Sequence, residues 1–373
     1  MKENKLEVGF IGAGAYVSGN HLPNAQRNPA LRIRAICDLS AETLERHRAA
    51  YQPDYVTTDY RDVLRDERVD FVVIGTQHDV RLPLIRAAAE AGKPIWVEKP
   101  MSTTNAESRQ ILDIVRRTGV LFQVGFNRRF APGIVDLKRV LGRFPRLQTL
   151  YLRAIEERKL WPDWPFTPQH GGTLGSEACH FMDLATFLAG AEPVRLRARG
   201  DAMYALAVSI DFANGTVAEF FCGVHGSAGY PKEYIEAFGG ECTAVLRSFV
   251  ELNVCGVDGE TDRSYPLEFD PQPEAFRDLP AFEALYRKNR HWRDHIPPED
   301  FAARHYYRSQ PQVNKGRYEA LDDFARAVRE RRAATGCDAT DGARATAMVL
   351  AAEKSIRSGG PVEFSLEAAL RET

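Results

Sequence analysis

A chain of 373 residues exceeds what one ordinary hydrophobic core serves and fits two domains. With 44% hydrophobic and 27% charged residues it can bury a sizeable core, and a formal net charge of −2 speaks against a surface built to grip nucleic-acid phosphates. No apolar run approaches the ~20 residues that span a bilayer, and no hydrophobic leader precedes the first strand, so no membrane partner and a cytoplasmic location are expected.

Leu6–Gly12 reads as a short hydrophobic strand, followed by Gly12-Ala13-Gly14-Ala15-Tyr16 and a helix-compatible stretch toward Gln26. In a strand–glycine turn–helix unit, Gly12 permits the tight turn and Gly14 lets backbone approach a pyrophosphate. The helix N-terminus supplies N–H donors to the phosphates, and Ala15 and Tyr16 follow on the same turn. The third glycine of GxGxxG would fall at Val17, a departure from the fingerprint. Residues 31–37 form a second strand with Asp38 at its end, 24 positions after Gly14. A carboxylate there can accept from the adenosine ribose and repel a 2′-phosphate, favouring NAD over NADP. It can also cap the helix beginning near Ser40, a task within reach of Ser40 itself.

Strand and helix then alternate: strand 69–74, helix 80–91, strand 94–97, helix 105–118 and strand 120–124. Short β-branched runs between helices predict a parallel, doubly wound sheet, whose ligands sit at the carboxyl ends of strands. Thr76-Gln77-His78 and Glu98-Lys99-Pro100 occupy two such ends. His78 caps the following helix or touches the cofactor. Beyond residue 125, alternation over 146–156 and 206–212, Asn214-Gly215 before 216–221, and the patterns at 233–238 and 249–254 predict antiparallel strands and a hairpin. The six cysteines are scattered without CxxC or zinc-type spacing, so reduced thiols and no metal site are expected.

The stretches GFIGAGAYVSGNHLP (9–23), AGKPIWVEKPM (91–101), VGFNRRFAP (124–132) and GGTLGSEACHFMDLATFLAG (171–190) resemble the glucose–fructose oxidoreductase and inositol dehydrogenase family, Gfo/Idh/MocA. A weaker match closes the chain in RYEALDDFARAV (317–328) and VEFS (362–365). The resemblance implies an α/β protein: a Rossmann domain over 1–125, then over 126–373 a substrate-binding and oligomerisation domain with a large, mainly antiparallel open sheet. It implies NAD, a carbohydrate or cyclitol substrate and a homodimer or homotetramer.

By the same resemblance Lys99 hydrogen-bonds the reacting hydroxyl and the nicotinamide ribose, with Glu98 orienting it or balancing its charge. His180 matches the family's catalytic histidine, the proton acceptor in oxidation; an imidazole suits that work near neutral pH. The family commonly carries Asp four residues before this histidine, where Ser176 stands here. Glu177 at i−3 or Asp183 at i+3 could orient the ring instead, or Glu177 could bind substrate hydroxyls or serve only as a first-turn carboxylate. Arg129 fits a position near the cofactor and Arg128 one near substrate, and either could be an interdomain ion pair. Trp161 offers a face for a sugar ring and Trp164 packs a loop. The 270–312 segment reads as a lid or a subunit-gripping arm.

The leading expectation is thus an NAD-dependent dehydrogenase acting on a ring CH–OH of a sugar, glycoside, cyclitol or sugar nucleotide. Two others stand beside it. One is an enzyme that cleaves or epimerises glycosides while its bound NAD cycles. The other is a sensor that binds NAD and sugar without catalysis, which the presence of both Lys99 and His180 argues against.

Overall fold

The computed structural model describes residues 5–167, 170–296 and 309–372. They fall into two compact units, one of Met1–Asn127, Gly316–Ala347 and Leu366–Thr373, the other of Arg128–Lys315 and Met348–Ser365.

The first unit is built on six parallel strands: β1 (Leu6–Ile11), β2 (Leu31–Cys37), β3 (Tyr55–Thr57), β4 (Phe71–Ile74), β5 (Ile95–Val97) and β6 (Phe122–Val124). Their order is β3-β2-β1-β4-β5-β6, so the winding reverses between β1 and β4. Every residue of β4, β5 and β6 is buried, as strands covered on both faces require. Local signals set the helices between them. Asn105–Thr118 starts from a Thr104/Glu107 capping box and stops at Gly119 in the left-handed conformation.

The division of the chain is not contiguous at residue 125. Helix Arg317–Glu330 belongs to the first unit because Phe324 packs edge-on against Phe71 at 5.5 Å and Trp96 at 5.9 Å. Arg109 likewise donates to the Leu370 carbonyl. These contacts join residues more than 200 positions apart, which local pattern does not reveal.

The second unit holds β7 (Thr149–Ile155), β8 (Pro193–Asp201), β9 (Ala205–Phe212), β10 (Val217–Gly223), β11 (Glu233–Gly239), β12 (Cys242–Arg247), β13 (Glu251–Cys255) and β14 (Arg263–Ser264). A short pair, β15 (Leu267–Phe269) and β16 (Gln312–Val313), stands apart, and β17 (Val362–Glu363) closes the main sheet. The nine strands run β14-β13-β12-β11-β7-β10-β9-β8-β17, antiparallel except for β7 with β10. The Asn214-Gly215 hairpin forms with Val217 opposite Asp211. Even-numbered residues of β7 are buried, while the odd-numbered face carries Tyr151 against Phe221 and Tyr234, both at 6.1 Å. Helix Cys179–Ala189 buries Phe181, Met182, Leu184 and Leu188, each worth roughly 1.5–3 kcal/mol.

Helix Ala281–Asp294 is anchored within its own unit. Arg293 pairs with Glu157 at 2.5 Å, Arg247 lies over Phe282 at 5.4 Å, and Tyr230 meets Phe282 and Tyr286. Within the predicted lid or arm, 297–308 lie outside the described residues. No disulfide joins any of the six cysteines, and no described helix is long and apolar enough to cross a membrane.

Candidate functional site

Each unit gathers one cluster of the residues singled out above. In the first, the carboxyl ends of β1, β2, β4 and β5 bring Gly12, Asp38, Thr76 and Lys99 to the edge of the sheet where the winding reverses. Gly12 has φ +85°, and a Cβ there would come within 2.8 Å of Thr76. Gly14, Ala15 and Tyr16 form an exposed lip, and nothing lies within 4 Å of a Cβ built on Gly14. That open, glycine-floored turn fits the close approach of a dinucleotide.

The turn is clamped through Ala13. Its N–H donates to Asp38 Oδ2 at 2.8 Å, and its carbonyl takes Ser18 Oγ at 2.9 Å and lies 3.0 Å from His47 Nε2. Burial pushes the His47 imidazole below its ordinary pKa, against the opposing pull of the Ala13 carbonyl. Asp38 Oδ1 accepts the Ser40 N–H at 2.9 Å, while the Ser40 side chain caps the helix by accepting from Thr43. The two readings of Asp38 therefore separate: capping belongs to Ser40, and the Asp38 carboxylate braces the glycine turn.

The missing third glycine has a structural answer. Val17 is buried, and a Cβ added to Gly75, at the end of β4, would lie 2.2 Å from Val17 Cγ2. The close packing a glycine would give on the turn side is thus supplied from the strand side. The helix expected toward Gln26 opens as a π turn, Val17–His21, before the α-helix Leu22–Arg27.

Sequence reasoning missed Arg81. Its buried guanidinium donates to the Thr76 carbonyl at 2.7 Å, to the Glu98 carbonyl at 2.6 Å and to the Pro100 carbonyl, stapling the ends of β4 and β5 together. The Lys99–Pro100 peptide is cis. Glu98 is buried and its Oε1 takes His21 Nε2 at 2.6 Å. Burial alone would raise the Glu98 pKa, but the hydrogen bond from His21 and the charges of His21, Lys99 and Arg81 outweigh it and hold the group below the usual carboxylate range. Gln77 is exposed, and His78 begins a 3-10 turn, His78–Val80; the helix it precedes takes Val80 as its N-cap, so His78 is not the cap.

In the second unit Gly171 and Gly172 have φ +70° and +59°, and a Cβ on Gly172 would strike Met203 Cα at 2.5 Å. The chain then winds a π turn, Leu174–Ala178, into helix Cys179–Ala189, placing Ser176, Glu177 and His180 in buried positions around its start. Glu177 Oε1 accepts from Arg128 at 2.6 Å and from Lys232 at 2.6 Å. Lys232 also pairs with Glu156 at 2.7 Å, and Glu233 takes Lys315 at 2.7 Å and Arg128 at 3.2 Å. Among the described residues, three cations thus face three carboxylates. Burial works against charge on Glu233, yet Lys315, Lys232 and Arg128 bring its pKa down to about 2. Glu156 is raised, first by burial and then by the charge of Glu177, against the pull of Lys232.

Glu177 is thus held by two cations, and Arg128 is bonded to the carboxylates of Glu177 and Glu233. Asp183 takes Arg129 through two bonds, at 3.0 and 2.5 Å, so Arg129 is an ion-pair arginine within its unit. Trp161 packs edge-on to Phe166 at 5.8 Å, and Trp164 is 42% exposed with its ring edge-on to His170 at 4.9 Å. An open cavity of about 550 Å³ lies beside this loop, lined by Glu157, Arg158, Lys159, His225 and Arg293 among others. Lys232, Glu156 and Lys315 carried no signal in the sequence, since isolated charges at strand ends look like solvated ones.

A family model described as "Oxidoreductase family, NAD-binding Rossmann fold" matches residues 6–126, and one described as "Oxidoreductase family, C-terminal alpha/beta domain" matches 148–364. The chain belongs to the Gfo/Idh/MocA oxidoreductase family. Its first domain is therefore an NAD-binding Rossmann domain, and the chain is an oxidoreductase of that family. Among relatives, an uncharacterized oxidoreductase, YrbE, of Bacillus subtilis is 27% identical over 96% of this chain and 97% of its own. Inositol 2-dehydrogenase of Rhizobium meliloti is 30% identical over 58% of this chain and 62% of its own, and levoglucosan dehydrogenase of Pseudarthrobacter phenanthrenivorans 30% over 50% and 51%. The fold is shared with a levoglucosan dehydrogenase solved with NADH, at TM-score 0.75 and 22% identity over 97% of this chain and 100% of that one. It is shared too with an Agrobacterium radiobacter oxidoreductase solved with NAD+, L-tartaric acid and magnesium, at TM-score 0.77 and 17% identity over 98% and 99%.

Proposed function

We propose that this oxidoreductase moves a hydride between NAD and a ring CH–OH of a sugar, glycoside, cyclitol or sugar nucleotide. The observation that carries the reading is the strand-end cluster of the parallel sheet, where the Gly12–Tyr16 turn, Asp38, Thr76 and the doubly braced Lys99 share one edge. NAD, when bound, supplies the hydride acceptor. Lys99 donates from its ammonium to the hydroxyl oxygen and stabilises the negative charge growing there. His180 takes the hydroxyl proton on a ring nitrogen. Glu177, neutralised by Arg128 and Lys232, keeps the start of the His180 helix in place instead of exchanging protons. The inositol and levoglucosan dehydrogenases among the relatives favour neutral polyols.

The reaction is assigned to the cytoplasm, whose reducing poise suits six unbridged thiols. A second copy of the chain is assigned to the odd-numbered sheet face, where Phe221 and Phe238 are 45% and 43% exposed; light scattering should return a dimer or tetramer mass.

The deciding experiment follows absorbance at 340 nm with NAD and a panel of inositols, sugars, glycosides and sugar nucleotides, alongside product analysis. A rise that Lys99→Ala and His180→Ala each abolish is expected. A flat trace with a cleaved or epimerised product would replace net oxidation by a cycling cofactor, and full turnover in Lys99→Ala would remove the role given to that lysine.

A further inference from the structure

Sequence alone gives Glu98 the task of orienting Lys99 and gives His21 none, yet the two side chains are a buried pair. His21 is 2% exposed, and its Nε2 lies 2.6 Å from Glu98 Oε1. The other oxygen of that carboxylate accepts the Lys99 backbone N–H at 3.2 Å. Among the described residues His21 Nδ1 is buried with no hydrogen-bond partner, while its Nε2 is committed to Glu98. Room is reserved for the pair: a Cβ on Gly125 would sit 2.7 Å from Glu98 Oε1.

On its other side His21 meets the cofactor turn. Tyr16, on the exposed lip, packs edge-on to the His21 ring at 5.5 Å and 73°. Trp96 closes the ring from β5 at 5.9 Å and 72°. The π turn Val17–His21 makes this geometry possible. A π turn takes up one residue more than an α turn, and one residue corresponds to ~100° of rotation, so the same stretch wound as α-helix would swing His21 away from Glu98. Single-turn π segments recur where a functional side chain must be re-aimed.

We propose that Tyr16, His21 and Glu98 form a positioning relay that couples occupancy of the dinucleotide turn to the placement of Lys99. A dinucleotide resting on the lip presses on Tyr16. The T-shaped contact passes the displacement to His21, and Glu98, gripping both the His21 ring and the Lys99 N–H, sets the backbone from which the ammonium projects. The role of Lys99 is the one given under the proposed function, but the relay can be tested without turnover.

The test titrates NAD+ alone into protein carrying 15N-labelled histidine. The imidazole signal that is lost in His21→Leu should move on saturation with NAD+; a signal that stays in place overturns the relay. In parallel, His21→Leu should lower kcat about tenfold or more while the Kd for NAD+, read from tryptophan quenching, stays within about threefold. His21→Gln, which keeps a donor near the Nε2 position, should recover most of that loss. Full kcat in His21→Leu, or equal losses in both variants, overturns the assignment. If His21→Leu does not fold, Gly125→Ala pushes on Glu98 Oε1 from the opposite side and should reproduce the kcat loss. A wild type that oxidises no polyol would sink the proposed function, while the NAD+ titration still decides the relay.

Discussion

Replacing Arg128 by methionine tests whether the charges around the His180 helix act as one unit. Arg128 is 5% exposed and bonds Glu177 at 2.6 Å and Glu233 at 3.2 Å. Removing one partner of a buried pair costs about 3–5 kcal/mol, because the other charge is left uncompensated. Here Glu177 retains Lys232 and Glu233 retains Lys315, both within 2.7 Å, so the lower end applies, about 3 kcal/mol. For a unit of this size that is a fall in Tm of about 6–12 °C. The variant network carries two cations against three carboxylates. Losing one cation raises the network's carboxyl pKa values relative to the wild type, so the deficit against the wild type is smaller at pH ~5 than at pH ~7. Urea unfolding at both pH values measures this, with the slope m checking that the same surface is exposed. Adding Glu177→Gln restores two against two and should return about 1–2 kcal/mol. A loss under about 1 kcal/mol, or additive effects in the double variant, would mean that the six charges are independent and refute the coupled network.

His47 makes the first unit acid-sensitive. Its pKa is lowered on folding, so below ~6.5 the unfolded chain binds more protons and stability falls as pH drops, a trend that His47→Gln should flatten in urea midpoints between pH ~7.5 and ~5.5. Asp38→Ala removes the acceptors for the Ala13 and Ser40 N–H groups, which should cost about 1–3 kcal/mol and relax the preference for NADH over NADPH in a binding titration; an unchanged preference would leave Asp38 a brace only. Gly75→Ala should cost about 1–3 kcal/mol through its clash with Val17, and Val17→Ala in the same chain should return most of it in thermal melts.

The parallel sheet was legible because its strands are short and buried on both faces, so β-branched runs such as Ile95-Trp96-Val97 stand out between capped helices. Asp38, Thr76 and Lys99 followed as strand-end residues. The edge strand β3, three half-buried residues, left no such pattern. Nor did the later segments of the first unit, whose membership rests on Phe324 meeting Phe71 and Trp96 across some 230–250 positions. Arg81 sits in a helix where one basic residue reads as solvated, yet its guanidinium is spent on three backbone carbonyls. The charged network was illegible for a related reason. Glu177 carried a signal through its place beside His180, but its partners are Arg128 and, just ahead of β11, Lys232, and pairing across a fold has no local periodicity. The π turns at 17–21 and 174–178 have no residue signature either.

Val17 shows what a sequence fingerprint encodes. The third glycine of GxGxxG matters because the helix after the turn must lie close to the strands, and closeness is a property of two surfaces. Here one surface carries the valine and the other the glycine: Gly75, at the end of β4, leaves 2.2 Å where its own Cβ would have met Val17. The turn side is further relaxed by the π winding from Val17 to His21, which re-aims the helix start and delivers His21 to Glu98. Departure from the motif, the compensating glycine 58 positions away, and the extra residue in the turn are therefore one arrangement. The same condition, close packing at the switch point of the sheet, both preserves the open lip at Gly14 and sets the backbone from which Lys99 projects.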